Sequence, residues 1–349
     1  MSRLLRVELL RFRSRRAMKV LGLGAIALVL VIMTVQFFKH AKDDGSAAAR
    51  FRAERSAQYD QQAQQWEQQR ADYQLRRPQM INDPNVPKEA IAQQDQEMAR
   101  TPPTREEFVA GQEFFCADCR SFPNDHEYHA ATDLRDGVKA VAFIFAFAAF
   151  LMGATAAGAE WNAGTMQSLL FWESRRARVI VAKVAALVLS VVALAIVGQL
   201  LLHAYGYLDG ATRGTTAGMT TGWWQSQALV AARGLGLAAF AAAIGFALAF
   251  ATRNSGFALG VAFVYFAIIQ SLLIGWKPWL IRYVLAGPIA AWMNAGFQHH
   301  YQVRVPGGQG EVVDKVIKLS TTFGGVALLA YALVAVALAA AWFRSRDVT

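Results

Sequence analysis

Six long apolar runs, at residues 17–38, 138–159, 184–207, 228–252, 256–276 and 319–343, constrain this chain more than any other feature. A helix needs about 20 mostly apolar residues to cross roughly 30 Å of hydrocarbon. Lipid offers no partner for backbone amides and carbonyls, so the open-ended element that can span it is the self-satisfied α-helix. The chain is therefore expected to be an all-α integral membrane protein with six transmembrane helices. Its composition agrees, with 55% hydrophobic residues and 17% charged, against about 25% charged in soluble chains. The first run is longer than a signal-peptide core and no small-x-small site follows Phe38, so it reads as a retained anchor.

The net charge of +10 is a matter of topology. Arg3, Arg6, Arg11, Arg13, Arg15, Arg16 and Lys19 precede the first run; Arg175, Arg176, Arg178 and Lys183 follow the second. Arg253 follows the fourth, and Arg344 and Arg346 follow the sixth. If six helices alternate, these fourteen cations share one side with four acids, Glu8, Glu160, Glu173 and Asp347. The positive-inside bias then makes that side cytoplasmic, with both termini on it. The segment 39–137 falls outside and is acidic, with thirteen Lys and Arg against eighteen Asp and Glu. That mixture does not suit a nucleic-acid surface, and no nucleic-acid partner is expected.

Residues 1–16 place Leu5, Leu9 and Phe12 at i, i+4 and i+7 among arginines. This predicts a helix lying on the inner membrane face against lipid headgroups, the alternative being a plain positive flank. In the 39–137 insert, Ala47 to Arg77 lacks Pro and Gly and predicts one long helix. Phe51, Tyr59, Trp66 and Tyr73 form a heptad-like stripe on it that either packs on the rest of the insert or pairs with a partner. The Pro-punctuated stretch 78–103 is expected to be irregular, and Thr104 to Glu107 resembles a capping box. Residues 277–318 are a second outside stretch, with an interrupted apolar part suited to re-entrant helices and a Gly-rich turn at 307–310.

The inside loop 160–183 begins Glu160-Trp161-Asn162-Ala163-Gly164-Thr165-Met166 and continues through Leu169-Leu170 and Ser174-Arg175-Arg176 to Lys183. A Glu, a Gly-Thr four residues on, a Leu pair, a Ser-Arg turn and a Lys opening the next helix resemble the ABC-2 type permeases, membrane subunits of ATP-binding-cassette exporters. The resemblance extends to the N-terminal helix, the large first insert, the short turn 252–256 and the basic C-terminal end. It departs at Trp172-Glu173, where the family often has Pro before its Ser-Arg turn. It implies that 160–183 is a coupling loop docked on a cytoplasmic ABC ATPase subunit. Glu160, Gly164, Thr165, Met166, Leu169, Leu170, Arg175, Arg176 and Lys183 would carry that role, with Glu160 paired to Arg175 or to an arginine of the N-terminal helix. It further implies a bacterial cytoplasmic membrane location and a second copy or a paralogous permease to complete the path. No Gly-x4-Gly-Lys-Ser/Thr occurs in the sequence, so the chain is expected to be no enzyme and to hold no cofactor, ATP and Mg belonging to the partner.

For a path, Phe143, Phe147 and Phe150 form one stripe, and Arg233, Tyr265 and Gln270 are polar or amphipathic groups inside apolar runs. Lipid-facing or helix-packing roles compete with that reading for the rings, as snorkelling does for Arg233. Outside, Cys116 and Cys119 are expected to form a local disulfide. A zinc site with His126 and His129 is the weaker alternative, its spacing being short for a zinc finger. Thiol exchange at this pair would make the chain a membrane-anchored redox or metal-binding protein or sensor instead of a permease. His299 and His300 are expected to be solvated loop residues.

Overall fold

A computed structural model describes residues 2–40, 46–82, 87–99, 104–105, 108, 128–164, 175–304 and 312–345. The chain divides into two compact units, one of residues 1–38 with 129–349 and one of residues 39–128. It is an all-α membrane protein whose described residues include six helices long and apolar enough to span a bilayer.

In the larger unit, α1 (Ser2–Ser14) and α2 (Arg16–Lys39) are separated by a break at Arg15 alone. The spans continue with α5 (Ala130–Asn162), α6 (Arg176–Arg213) and α7 (Thr221–Thr252). The fifth span is α8 (Ser255–Val264), a π-helical turn (Tyr265–Ile269) and α9 (Gln270–Trp276). A 3₁₀ turn (Pro278–Arg282) and the short α10 (Ala286–Met293) follow. Next come the strands β1 (Phe297–Arg304) and β2 (Val312–Leu319), and α11 (Thr321–Ser345) is the sixth span. Most helices outrun their apolar cores. α6 begins at Arg176, eight residues before its apolar run, because backbone hydrogen bonds and long cationic stems carry a helix past the hydrocarbon edge.

The spans differ in how much of themselves they bury. The apolar windows of α5, α7 and α6 are 61%, 56% and 44% buried, whereas those of α2, α11 and the fifth span are 22%, 17% and 6% buried. Apolar burial drives helix association weakly in lipid, whose tails are as apolar as leucine, so close approach and interhelical hydrogen bonds must hold the bundle. α5 and α7 achieve that approach reciprocally. A Cβ on Gly153 would overlap the Ala242 carbonyl, and one on Gly245 would overlap the Phe150 carbonyl. Phe145, Leu187 and Val191 fill the adjoining seam of α5 and α6.

The 277–318 stretch is more ordered than expected. β1 and β2 pair antiparallel from Phe297↔Leu319 to Arg304↔Val312. Period-two alternation puts Phe297, His299 and Tyr301 on one face, where their rings stack at 6.3 and 6.2 Å. His299 is thus a half-buried strand residue, while His300 is exposed on the opposite face.

In the smaller unit, α3 (Ser46–Asn82) runs past Pro78. α4 (Lys88–Ala99) forms where an irregular segment was expected. Pro87 stands just ahead of its first turn, and Ala, Gln, Glu and Met supply helix propensity. Tyr73 donates to Asp95 at 2.9 Å, and Arg77 binds the same carboxylate at 2.8 and 2.9 Å, fixing α4 on α3. Tyr59 meets the Phe108 ring at 5.8 Å. The aromatic stripe therefore packs on its own insert at two of its positions. The Phe108 amide donates to the Thr104 carbonyl, a helical turn at the expected capping box.

Candidate functional site at the basic end of the bundle

Four charged groups from three elements converge at the end of the larger unit that carries α1. Glu160 sits in the last turn of α5 and Lys183 in the third turn of α6, while Glu8 faces inward from α1 and Arg15 occupies the α1–α2 break. The Lys183 ammonium bridges both carboxylates, at 3.0 Å to Glu8 and 2.8 Å to Glu160. Arg15 donates to Glu160 at 2.7 Å and to the Ala156 carbonyl at 3.1 Å. Arg11 reaches Glu8 at 3.4 Å from a more exposed position. The Lys183, Glu8 and Glu160 side chains are only 4%, 6% and 7% exposed. Charge alternates along the chain Glu8–Lys183–Glu160–Arg15, so each buried carboxylate meets a cation. That alternation offsets the several kcal/mol it costs to desolvate an ion.

An aromatic layer lies beside the network. Trp161, next to Glu160, meets Phe250 of α7 at 5.6 Å and Phe343 of α11 at 6.0 Å. Arg253 stacks on Trp161 at 4.4 Å. Its backbone is left-handed, with φ of 56°, at the turn where Asn254 caps α8 by accepting from the Gly256 and Phe257 amides. Ends of α5, α7 and α11 thus meet around one ring.

The structure brings together Glu160 and Lys183 of the sequence-predicted set. Gly164 follows α5 with φ of 64°, a conformation that favours glycine. Arg175 is the N-cap residue of α6 and Arg176 its first residue. Thr165, Met166, Leu169 and Leu170 lie outside the described residues, as do Cys116, Cys119 and His126. His129 immediately precedes α5, its backbone amide donating to Asp133. The expected partner of Glu160 on the N-terminal helix is Arg15, at the break that ends it. Sequence reasoning missed Glu8 as a member of the network. The available signal was a single acid among seven cations, with Phe12 one turn on along the apolar face.

The predicted path residues fall into two groups. Phe143 and Phe147 are 48% and 67% exposed on α5, whereas Phe150 is half-buried at the α5–α7 seam. Arg233 is half-buried, and its carbonyl accepts from the Trp292 indole at 2.8 Å. Tyr265 and Gln270 act together. The π-turn joins them through an i→i+5 hydrogen bond, which puts them on one face. The Tyr265 hydroxyl accepts from the Leu285 amide at 3.1 Å, and the Gln270 carbonyl oxygen accepts from the Ala286 amide at 3.0 Å. Both groups therefore cap the start of α10.

Among the described residues, six helices long and apolar enough to span a bilayer define a multi-pass membrane protein. The model of the family described as ABC-2 family transporter protein matches residues 11–348, almost the whole chain. The chain belongs to that family and is a membrane transport component. Comparison with curated proteins gives no match.

Proposed function

We propose that this chain is the membrane-spanning permease subunit of an ATP-driven exporter, coupled at its basic end to a separate cytoplasmic ATPase that binds ATP and Mg. The observation that carries the reading is the Glu8–Lys183–Glu160–Arg15 network. It ties α1 to the two helix ends that flank the 160–183 loop, so a push on that loop moves α5, α6 and α1 together instead of bending one of them. Both termini are cytoplasmic in this reading, α1 lies along the inner leaflet, residues 39–137 are extracytoplasmic, and the membrane is the bacterial cytoplasmic membrane.

Two copies, or this chain and a paralogue, enclose the path. The exposed Phe143 and Phe147 and the 6%-buried fifth span support that reading, since they leave broad apolar faces for a second permease or lipid to cover. The test is co-purification of the full chain with a cytoplasmic ATPase, followed by ATP turnover of the complex in nanodiscs. Glu160→Ala and Arg175→Glu are expected to uncouple that turnover from the permease while leaving membrane insertion intact. Wild-type coupling in both variants would remove the assignment.

A further inference from the structure

At the far end of the fifth span from the ion network, the chain builds a recess of about 720 Å³. Its walls are the 3₁₀ turn, the base of the β1–β2 hairpin, the chain reversal at Ala295 and Gly296, and the start of α11. The reversal is what opens it: Ala295 and Gly296 have φ of 58° and 123°, turning the chain sharply from α10 into β1. Arg282 and Lys318 line the recess together with Gln298, and the lining contains no acid. Among the described residues neither cation forms an ion pair. Phe297, Leu319 and Phe323 supply an apolar wall. The volume falls within the roughly 300–1,000 Å³ of small-molecule sites.

The aromatic residues just before it set its depth. Trp276, Trp279 and Tyr283 are 74%, 48% and 56% exposed, and Lys277 lies over the Trp276 ring at 5.4 Å. Exposed Trp and Tyr at the end of an apolar span, mixed with cations, belong at the level of lipid headgroups. The recess is therefore a positively lined pocket at the depth where phosphates are densest, with an apolar wall on one side.

We infer that this recess binds a phosphate-bearing group, the headgroup of a membrane phospholipid. The Arg282 guanidinium and the Lys318 ammonium take the phosphate oxygens, Arg through paired donors and Lys as a point charge. The start of α11 contributes favourable dipole in the same direction. Phe297 and Phe323 lie against the glycerol, and the acyl chains run down the exposed apolar surfaces of α9 and α11, where Leu272 and Val326 are 66% and 62% exposed. This site is independent of the coupling assignment and stands or falls separately.

The experiment is native mass spectrometry of the full chain in detergent, titrated with phosphatidylglycerol, with diacylglycerol as the phosphate-free control and inorganic phosphate as competitor. Lys318→Gln and Arg282→Gln are each expected to weaken phosphatidylglycerol binding by about tenfold, the scale of one lost charge-assisted contact. Lys315→Gln, on the same strand but outside the lining, is expected to leave it unchanged. Lys318 is exposed on a hairpin strand, so its substitution keeps the fold and the test does not depend on the Arg282 variant. Displacement by inorganic phosphate would show that the site reads phosphate alone. Retention of lipid against phosphate, with both substitutions still weakening it, would show that headgroup and chains are read together. Equal binding of diacylglycerol, or unchanged binding in the Lys318 variant, would overturn the inference.

Discussion

Replacing Lys183 by Met should destabilise the chain by more than any other single change in the ion network. Methionine matches the length of the lysine stem, so the substitution removes the ammonium and leaves little cavity. It strips the bridging cation from two carboxylates that are only 6% and 7% exposed. Glu160 keeps Arg15 at 2.7 Å, but Glu8 is left with Arg11 alone, at 3.4 Å and from a side chain 44% exposed. An uncompensated buried charge costs about 3–5 kcal/mol. Glu8→Gln is milder at about 1–2 kcal/mol, because the amide oxygen still accepts from Lys183 and Lys183 keeps Glu160. The double variant removes the orphaned charge along with its partner, and should cost only about 1–2 kcal/mol. The cycle therefore predicts a coupling of about 4 kcal/mol. The assay is reversible unfolding of the purified chain in mixed micelles with increasing dodecyl sulfate, followed by far-ultraviolet circular dichroism. Additive single effects, or a Lys183→Met cost below about 1 kcal/mol, would refute the reasoning that these groups form one desolvated unit.

Uncapping α10 should loosen it without unfolding the bundle. Tyr265→Phe and Gln270→Leu together remove two acceptors from its first amides, at about 1 kcal/mol each, and hydrogen exchange over residues 286–293 should accelerate. Gly245→Leu should cost more than about 3 kcal/mol, since the side chain would have to displace the Phe150 carbonyl; loss of folded protein on size-exclusion chromatography is the readout. In the insert, the Arg77 guanidinium and then the Tyr73 hydroxyl hold the Asp95 carboxyl below its ordinary value of 3.8. A depressed folded-state value stabilises the α3–α4 pair above about pH 4 and is lost as pH falls through it. Exchange protection of residues 88–99 should therefore fall modestly on acidification below that range, as expected for an exposed ion pair, and Asp95→Asn should abolish the acid step.

The spans were legible because the solvent is so restrictive: any run of about 20 apolar residues must be a buried helix in lipid or an aggregate in water. Glu160 was legible for the same reason, an acid at the end of such a run being costly unless something specific holds it. Where helices end was less legible. Lys183 reads as the close of a loop, yet it lies in the third turn of α6, and that placement is what lets it bury between two acids. Glu8 reads as a minor term in a charge tally because its value comes from a partner 175 residues away. The strands of the hairpin were not legible, since β-pairing depends on cross-strand neighbours that local patterning does not reveal, and the expected Gly-rich turn at 307–310 lies outside the described residues. Tyr265 and Gln270 were singled out for polarity within a span. Their common task follows from a π-turn, and a five-residue spacing carries no weight in a search for α-helical faces.

A buried ion network is poor evidence for stability, because well-packed apolar residues in its place are often as good or better. What it supplies here is register. Apolar faces of parallel helices slide past one another at little cost, and in lipid they gain little by staying put. An ammonium held between two carboxylates of different elements has one satisfactory position, and a slip of one helical turn would leave each member unpaired. The same logic applies midway along the fifth span, where Tyr265 and Gln270, at the two ends of the π-turn, fix α10 against it through two hydrogen bonds. That span buries only 6% of its apolar window. Its position is therefore held by directional bonds at its middle and by the Asn254 cap at its start more than by apolar packing along its length.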